Sequence, residues 1–294
     1  MLKINANSKI NLFLEITGKL PNGYHTVDTV MQSVSLADSV ELELTARTEG
    51  IQIICDIPAI PNDERNIAFR TAKAYLEATG ADCGVRIGIN KSIPSEAGMG
   101  GGSADGAAVL VGLNELCGGL LDVQALEAIA SRYGADIPFC IAGGTKRLKG
   151  IGTEITNSFA SPALSLVIAK PDQGISTPQA YRYLDTLFAD FSDHQPQLPT
   201  CLTDILSGTC DCYSNAIFNR FEYALDELCP ISKSLIEFFK ENSHGSLLCG
   251  SGAAVFAIAD GIPHAKVLAD KVKSNFKNCA VWTAETASRG CYII

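Results

Sequence analysis

Cationic side chains are in short supply: 23 Lys and Arg stand against 32 Asp and Glu, so the 294-residue chain carries a net charge of −9. That deficit argues against a surface for polymeric nucleic acid, where phosphate neutralisation needs clustered Lys and Arg. Long apolar runs are missing too. Gly, Asp or Lys interrupts each candidate before it reaches the ~20 residues of a membrane span, so no membrane partner is expected. The first residues, Met1-Leu2-Lys3-Ile4-Asn5-Ala6-Asn7, lack the basic-then-apolar order of a secretory signal. There is no internal repeat and no low-complexity tract. Metal-type cysteine pairs are also scarce. Cys210-Asp211-Cys212 is the only tight pair, with no second pair at zinc-ligand spacing, and no metal ligand is assigned. The eleven Cys are odd in number and scattered, many in apolar runs such as Ile53-Ile54-Cys55 and Leu247-Leu248-Cys249. A reduced, cytoplasmic protein that uses Cys as a small hydrophobe fits this usage.

What is present describes a folded enzyme-sized chain. Apolar residues make up 47% and charged residues 19%, which excludes a disordered chain. The length exceeds a usual single core, so two domains of roughly 150 residues are expected. Ile10, Leu12, Leu14 and Ile16 alternate with Asn11, Phe13 and Glu15 as in a strand, and Asn22-Gly23 follows as a turn. Further strands are expected over 40–44, 51–54 and 85–89, with a helix over 66–79 closed by Gly80. The first half therefore reads as a mostly antiparallel sheet with separate helices, an α+β pattern. Helices are expected from Ser103, over about 123–133 and near 264–276. Strands are expected over 164–169 and near 280–283, and two apolar runs flank Gly250-Ser251-Gly252. The division falls at 1–157 and 158–294, and the polar stretch Asp190 to Thr200, with Pro196 and Pro199, reads as a loop or lid.

The most informative segment is Pro94-Ser95-Glu96-Ala97-Gly98-Met99-Gly100-Gly101-Gly102-Ser103. Glycines let successive N–H groups turn inward and let a ligand approach the backbone. The helix that follows adds unpaired N–H groups and a positive dipole end, so this junction can hold phosphate without Lys or Arg. No Gly-Lys-Ser/Thr closes the loop, which excludes a Walker A motif. The glycine spacing and the surrounding pattern exclude a Rossmann fingerprint. A bare glycine run is otherwise only a flexible turn.

Four segments in order give this loop its context. Pro94-(x)3-Gly98-Met99-Gly100-Gly101-Gly102-Ser103-Ala104-Asp105 resembles the second motif of the GHMP kinases. Lys9-Ile10-Asn11-Leu12-Phe13-Leu14 with Gly23-Tyr24-His25 resembles the first motif of one branch. Gly134-Ala135-Asp136-Ile137-Pro138-Phe139, followed by Gly143-Gly144-Thr145, is similar to the segment carrying the family's catalytic aspartate. Leu248-Cys249-Gly250-Ser251-Gly252-Ala253-Ala254-Val255-Phe256 is similar to the third motif.

The resemblance implies a two-domain α+β fold with its active site in the cleft between domains. It implies ATP and Mg²⁺ as cofactors, and phosphorylation of the tertiary 2-hydroxyl of a methylerythritol unit joined to cytidine diphosphate. Asp136 would accept the hydroxyl proton or orient the nucleophile, with Lys9 beside it to hold it ionised and to neutralise the moving phosphoryl group. Asn11 would hydrogen-bond substrate. Tyr24 and His25 would recognise the cytosine, and Tyr181, after Ser176-Thr177-Pro178, would offer a second ring. Gly98 to Ser103, entered from Pro94, would cradle the ATP phosphates through Gly98, Met99, Gly100, Gly101, Gly102 and Ser103.

Each choice has a plainer reading beside it. Asp136 alone could cap the turn before Pro138, Lys9 could be a solvated lysine, His25 and Tyr181 could be core residues. The register separates the Lys9 readings, since Lys9 and Asn11 share one strand face opposite Ile10 and Leu12. Asp105 is expected to serve its helix's first turn, and His194, His244 and His264 are left structural or at the surface. The chain also departs from the family. Glu96 stands where a small or neutral residue is frequent, and is expected to face solvent. Ala104 replaces a frequent Ser, which leaves Ser103 as the hydroxyl near Mg²⁺ or phosphate. Asn215-Ala216-Ile217-Phe218 keeps only the Asn of an Asn-Asp-x-Glu-like segment, so it is given no role. Two alternatives stay open: another GHMP kinase of homoserine or mevalonate type, and a catalytically silent nucleotide-binding module on the same fold.

Overall fold

The computed structural model describes residues 1–188, 191, 198–207 and 213–294. The expected Asp190–Thr200 loop falls largely outside the described residues; His194 and the Cys210-Asp211-Cys212 pair lie outside them entirely. Two long antiparallel strands, β1 (Leu2–Lys19) and β2 (His25–Thr45), carry the first layer. The chain continues through β3 (Ile51–Cys55), α1 (Ile67–Thr79), β4 (Gly84–Asn90), α2 (Gly101–Leu116), α3 (Val123–Ala130) and α4 (Ile137–Ala142) to the hairpin β5 (Thr145–Lys149) and β6 (Glu154–Phe159). Then come β7 (Ser165–Pro171), α5 (Thr177–Leu187), α6 (Thr200–Leu206), β8 (Phe218–Asn219), α7 (Leu225–Leu228), α8 (Pro230–Asn242), β9 (Gly245–Leu248), β10 (Val255–Ala259), α9 (Gly261–Asn275), β11 (Cys279–Glu285) and β12 (Cys291–Ile293).

One sheet has eight strands, with the path β12-β1-β2-β4-β3, β5 and β6 leading off β2, and β8 beside β1. The other has four strands in the order β11-β7-β10-β9, all antiparallel. The expected 157/158 division lies inside β6, and the chain's last strand, β12, returns to the first sheet against β1.

Local chemistry accounts for the elements that the sequence pattern predicts. Asn66 accepts a hydrogen bond from Ala68 N, which starts α1, and Gly80 ends it in the left-handed region at φ 65°. Strand β2 is much longer than the expected 40–44 segment, and its pairing with β1 shifts register at three places. Such bulges break the period-2 alternation on which the reading relied. The second sheet is apolar on both faces. Leu166, Ile168 and Phe256 join the larger core, while Val167, Ala169, Val255 and Ala257 pack with residues of α8 and α9.

Candidate active site

Three distant segments meet around the glycine loop. Lys9 N donates to the Met99 carbonyl at 3.0 Å, Ala253 N to that of Glu96 at 3.0 Å, and Ala254 N to that of Ala97 at 3.3 Å. Gly98 has φ 72° and Gly100 φ 71°. At Gly98 the backbone contact is so close that a Cβ would stand 1.8 Å from the Cys249 carbonyl oxygen, so no other residue fits. Among the described residues, Glu96 is the one non-glycine residue with positive φ, at 51°. Its side chain is exposed, as expected, and its carboxylate lies over Gly174.

The loop ends at Gly100, whose carbonyl accepts from Ala104 N at 2.8 Å and so begins α2. The N–H groups of Gly101, Gly102 and Ser103 have no partner among the described residues, and neither does the Ser103 hydroxyl. Helix starts leave such donors free for an anion. Pro94 and Ser103 are half-buried and line the cleft, whereas the Met99 side chain is buried and leaves only its backbone to the loop.

Lys9 stands below this junction. Its ammonium lies 3.5 Å from Asp136 Oδ2 and donates to Asn11 Oδ1 at 2.9 Å. Asn11 in turn donates to Thr29 Oγ1 at 2.8 Å, and Thr29 to the Phe13 carbonyl at 2.6 Å. Lys9 is 4% exposed and Asn11 fully buried, so the solvated-lysine reading is excluded. Asp136 precedes α4 but makes no side-chain cap bond; its carboxylate turns to Lys9 instead. Gly250 of the third segment makes room for the ammonium: a Cβ there would stand 2.9 Å from Lys9 Nζ.

At the other end of the cleft the imidazole of His25 stacks on Tyr181, with centroids 4.6 Å apart and planes 16° apart. Tyr181 sets its ring edge-on to Phe221, and burial, with the Asp136 charge second, raises its phenol pKa. Tyr24 is separate: it sits on the β1–β2 turn with 63% of its surface exposed. The structure therefore brings His25 and Tyr181 against each other and leaves the Tyr24 ring open.

Several contacts could not be read from the sequence. Lys91 is buried between Asp38 and Asp105, 2.6 Å from Asp105 Oδ2. Asp105 thus faces inward rather than serving the first turn of α2, because a buried ammonium needs carboxylates more than a helix start does. Burial pushes the Asp105 carboxyl up to about 7, against the opposing pull of Lys91. Asp185 contacts both His25 and Lys19. Thr177 and Ser251 share a hydrogen bond of 2.8 Å across the cleft rim. Asp185 lies four residues after Tyr181 and so on the same helix face.

Lys9, Asn11, His25, the glycine loop, Asp136, Tyr181 and Asp185 line one cleft of about 1010 Å³. The sequence matches the family described as GHMP kinases N terminal domain over residues 66–144 and GHMP kinases C terminal over residues 210–278. A 4-diphosphocytidyl-2-C-methyl-D-erythritol kinase of Desulfitobacterium hafniense is 37% identical over 293 residues, covering 97% of this chain and 96% of that one. The chain belongs to the GHMP kinases.

A second relative of the same description, from Carboxydothermus hydrogenoformans, is 39% identical over 264 residues, 90% of each chain. The crystal structure of a 4-(cytidine 5'-diphospho)-2C-methyl-D-erythritol kinase matches with a TM-score of 0.80 at 30% identity, covering 97% of this chain and 99% of that one. A homoserine kinase from Cytophaga hutchinsonii shares the GHMP kinase fold, with a TM-score of 0.77 at 19% identity over 100% of this chain and 97% of that one. The two matched GHMP kinase segments hold the glycine loop, Asp136 and the 250–252 turn, while Lys9, Tyr24 and His25 lie before them.

Proposed function

We propose that this chain transfers the γ-phosphoryl group of ATP to the 2-hydroxyl of 4-diphosphocytidyl-2-C-methyl-D-erythritol, in the non-mevalonate route to isoprenoid precursors. The observation that carries the reading is one cleft with a Lys9–Asp136 pair at the glycine loop and an aromatic cluster at its far end. Full-length similarity to kinases of that description supports it.

In the proposed mechanism the γ-phosphate lies against the free N–H groups of Gly101, Gly102 and Ser103. The substrate hydroxyl oxygen forms a bond to the γ-phosphorus as the bond to the β,γ-bridging oxygen breaks, and its proton passes to Asp136. Lys9 balances the charge spread over the transferred group. Positioning and charge stabilisation carry most of such a reaction. Asn11, fixed by Thr29, orients the substrate; Tyr24, His25 and Tyr181 receive the cytidine end.

Mg²⁺ fits this site as an ion held chiefly by phosphate and water. Among the described residues no three His, Cys, Asp or Glu gather to hold a metal, whereas the Ser103 hydroxyl is unengaged. When bound, the ion supplies charge neutralisation on the triphosphate. We place the enzyme in the cytoplasm, working on small molecules; the nine described Cys are all free, as suits a reducing compartment.

The test is product identity. With Mg-ATP and the cytidine substrate, ³¹P NMR should show ADP and a new monoester on the tertiary carbon. Bound nucleotide with no new phosphorus signal would favour the silent-module reading instead.

A further inference from the structure

Asp185 lies on α5, one helical turn after Tyr181, and both its carboxylate oxygens are engaged. Oδ1 is 2.7 Å from His25 Nε2, and Oδ2 accepts from Lys19 Nζ at 2.6 Å. Lys19 and His25 are themselves partners in the β1–β2 ladder, its last rung before the turn. One carboxylate from the second half of the chain therefore fastens both strands of this hairpin at its tip. The turn beyond that rung carries Tyr24, held by Leu20 N donating to the Tyr24 carbonyl at 2.7 Å.

We propose that Asp185 is a positioning residue for the nucleobase end of the substrate, fixing the ring of His25 and the turn that presents Tyr24. The inference rests on the functional reading above. A carboxylate accepts hydrogen bonds and cannot donate them, so Nε2 of His25 carries its hydrogen toward Asp185 in either protonation state. The ring is thereby kept from flipping, and Nδ1 is the ring nitrogen left for a ligand. Packing holds the same orientation: Tyr181 covers one face, and Phe191 meets the ring edge-on at 5.6 Å. Burial would raise the Asp185 pKa, but hydrogen bonds from Lys19 and His25 outweigh it and lower the value, so the latch is anionic at neutral pH.

The bonds of Asp185 run to Lys19 and His25 and not to the glycine loop, Lys9 or Asp136, so Asp185 should govern binding of the cytidine end and not phosphoryl transfer. The experiment is steady-state kinetics of Asp185→Ala, Asp185→Asn and the unaltered enzyme with Mg-ATP and the cytidine substrate. Asp185→Ala should raise KM for the cytidine substrate about ten-fold or more. Its kcat and KM for ATP should stay within about two-fold, which also shows that the variant folds. Asp185→Asn keeps one acceptor oxygen and should recover part of the loss. An unchanged KM for the cytidine substrate, or a parallel fall in kcat and ATP affinity, overturns the proposal. Absence of turnover in the unaltered enzyme overturns the functional reading together with it, so the two failures are told apart by that control.

Discussion

Asp136 shows how much a single residue's role depends on its surroundings. As a letter before Ile137-Pro138 it reads first as a cap, and as an acid only beside the family motif; in the structure it makes no cap bond and its Oδ2 lies 3.5 Å from Lys9 Nζ. Asp136→Ala should therefore lower kcat by about 10²–10⁴-fold, the range for a lost general base, while ATP binding measured by calorimetry stays nearly unchanged. A wild-type rate would remove Asp136 from the mechanism. Lys9 and Asp136 were legible because each sits in a short local pattern. Asp185 and Lys91 were not, because their partners are remote: His25 lies 160 residues from Asp185, and Asp38 lies 53 from Lys91. No local periodicity encodes such a pair.

At the scale of elements, strands and helices with regular apolar spacing or clear caps were readable, as in α1 between Asn66 and Gly80. The long β2 was only partly so, because bulges interrupt its alternation, and β12 is too short to carry a pattern. The turn after β8 shows the same limit. Glu222 accepts from Leu248 N at 3.0 Å, tying residues 220–224 to β9, and burial pushes its carboxyl above the usual value despite that bond. A carboxyl whose folded pKa is raised holds its proton more tightly folded than unfolded. Its stabilising effect is thus lost as pH rises from the unfolded value toward the folded one. Glu222→Gln keeps the acceptor and removes the charge. The variant should melt near the parent temperature at pH 4 and above it at pH 8, with the gap opening as pH rises through the carboxyl's titration. Parallel melting curves across that range would show that Glu222 is not the group responsible.

For the whole molecule, the scarcity of cations takes on a specific meaning. Most cationic residues at the cleft are already paired: Lys91 with two aspartates, Lys19 with Asp185 and Arg65 with Asp63. On the proposed reading, phosphate binding falls to the N–H groups at the start of α2 and to Lys9, whose ammonium lies 3.5 Å from Asp136, so that a chain of net charge −9 handles nucleotides. Elsewhere, buried charge serves assembly. Arg220 pairs with Glu15 through two bonds of 2.6 Å, and its guanidinium lies over Phe218, Phe188 and Tyr223, joining the β8 segment to β1. The α+β character was legible from apolar spacing and from the family resemblance, whereas the meeting of three distant segments over one cleft exists only in the folded chain. The most direct measurement of the central claim is ADP release by a coupled assay with the cytidine substrate, homoserine and mevalonate side by side. Turnover with the cytidine substrate and none with the other two is the predicted result; equal turnover of homoserine or mevalonate would contradict it.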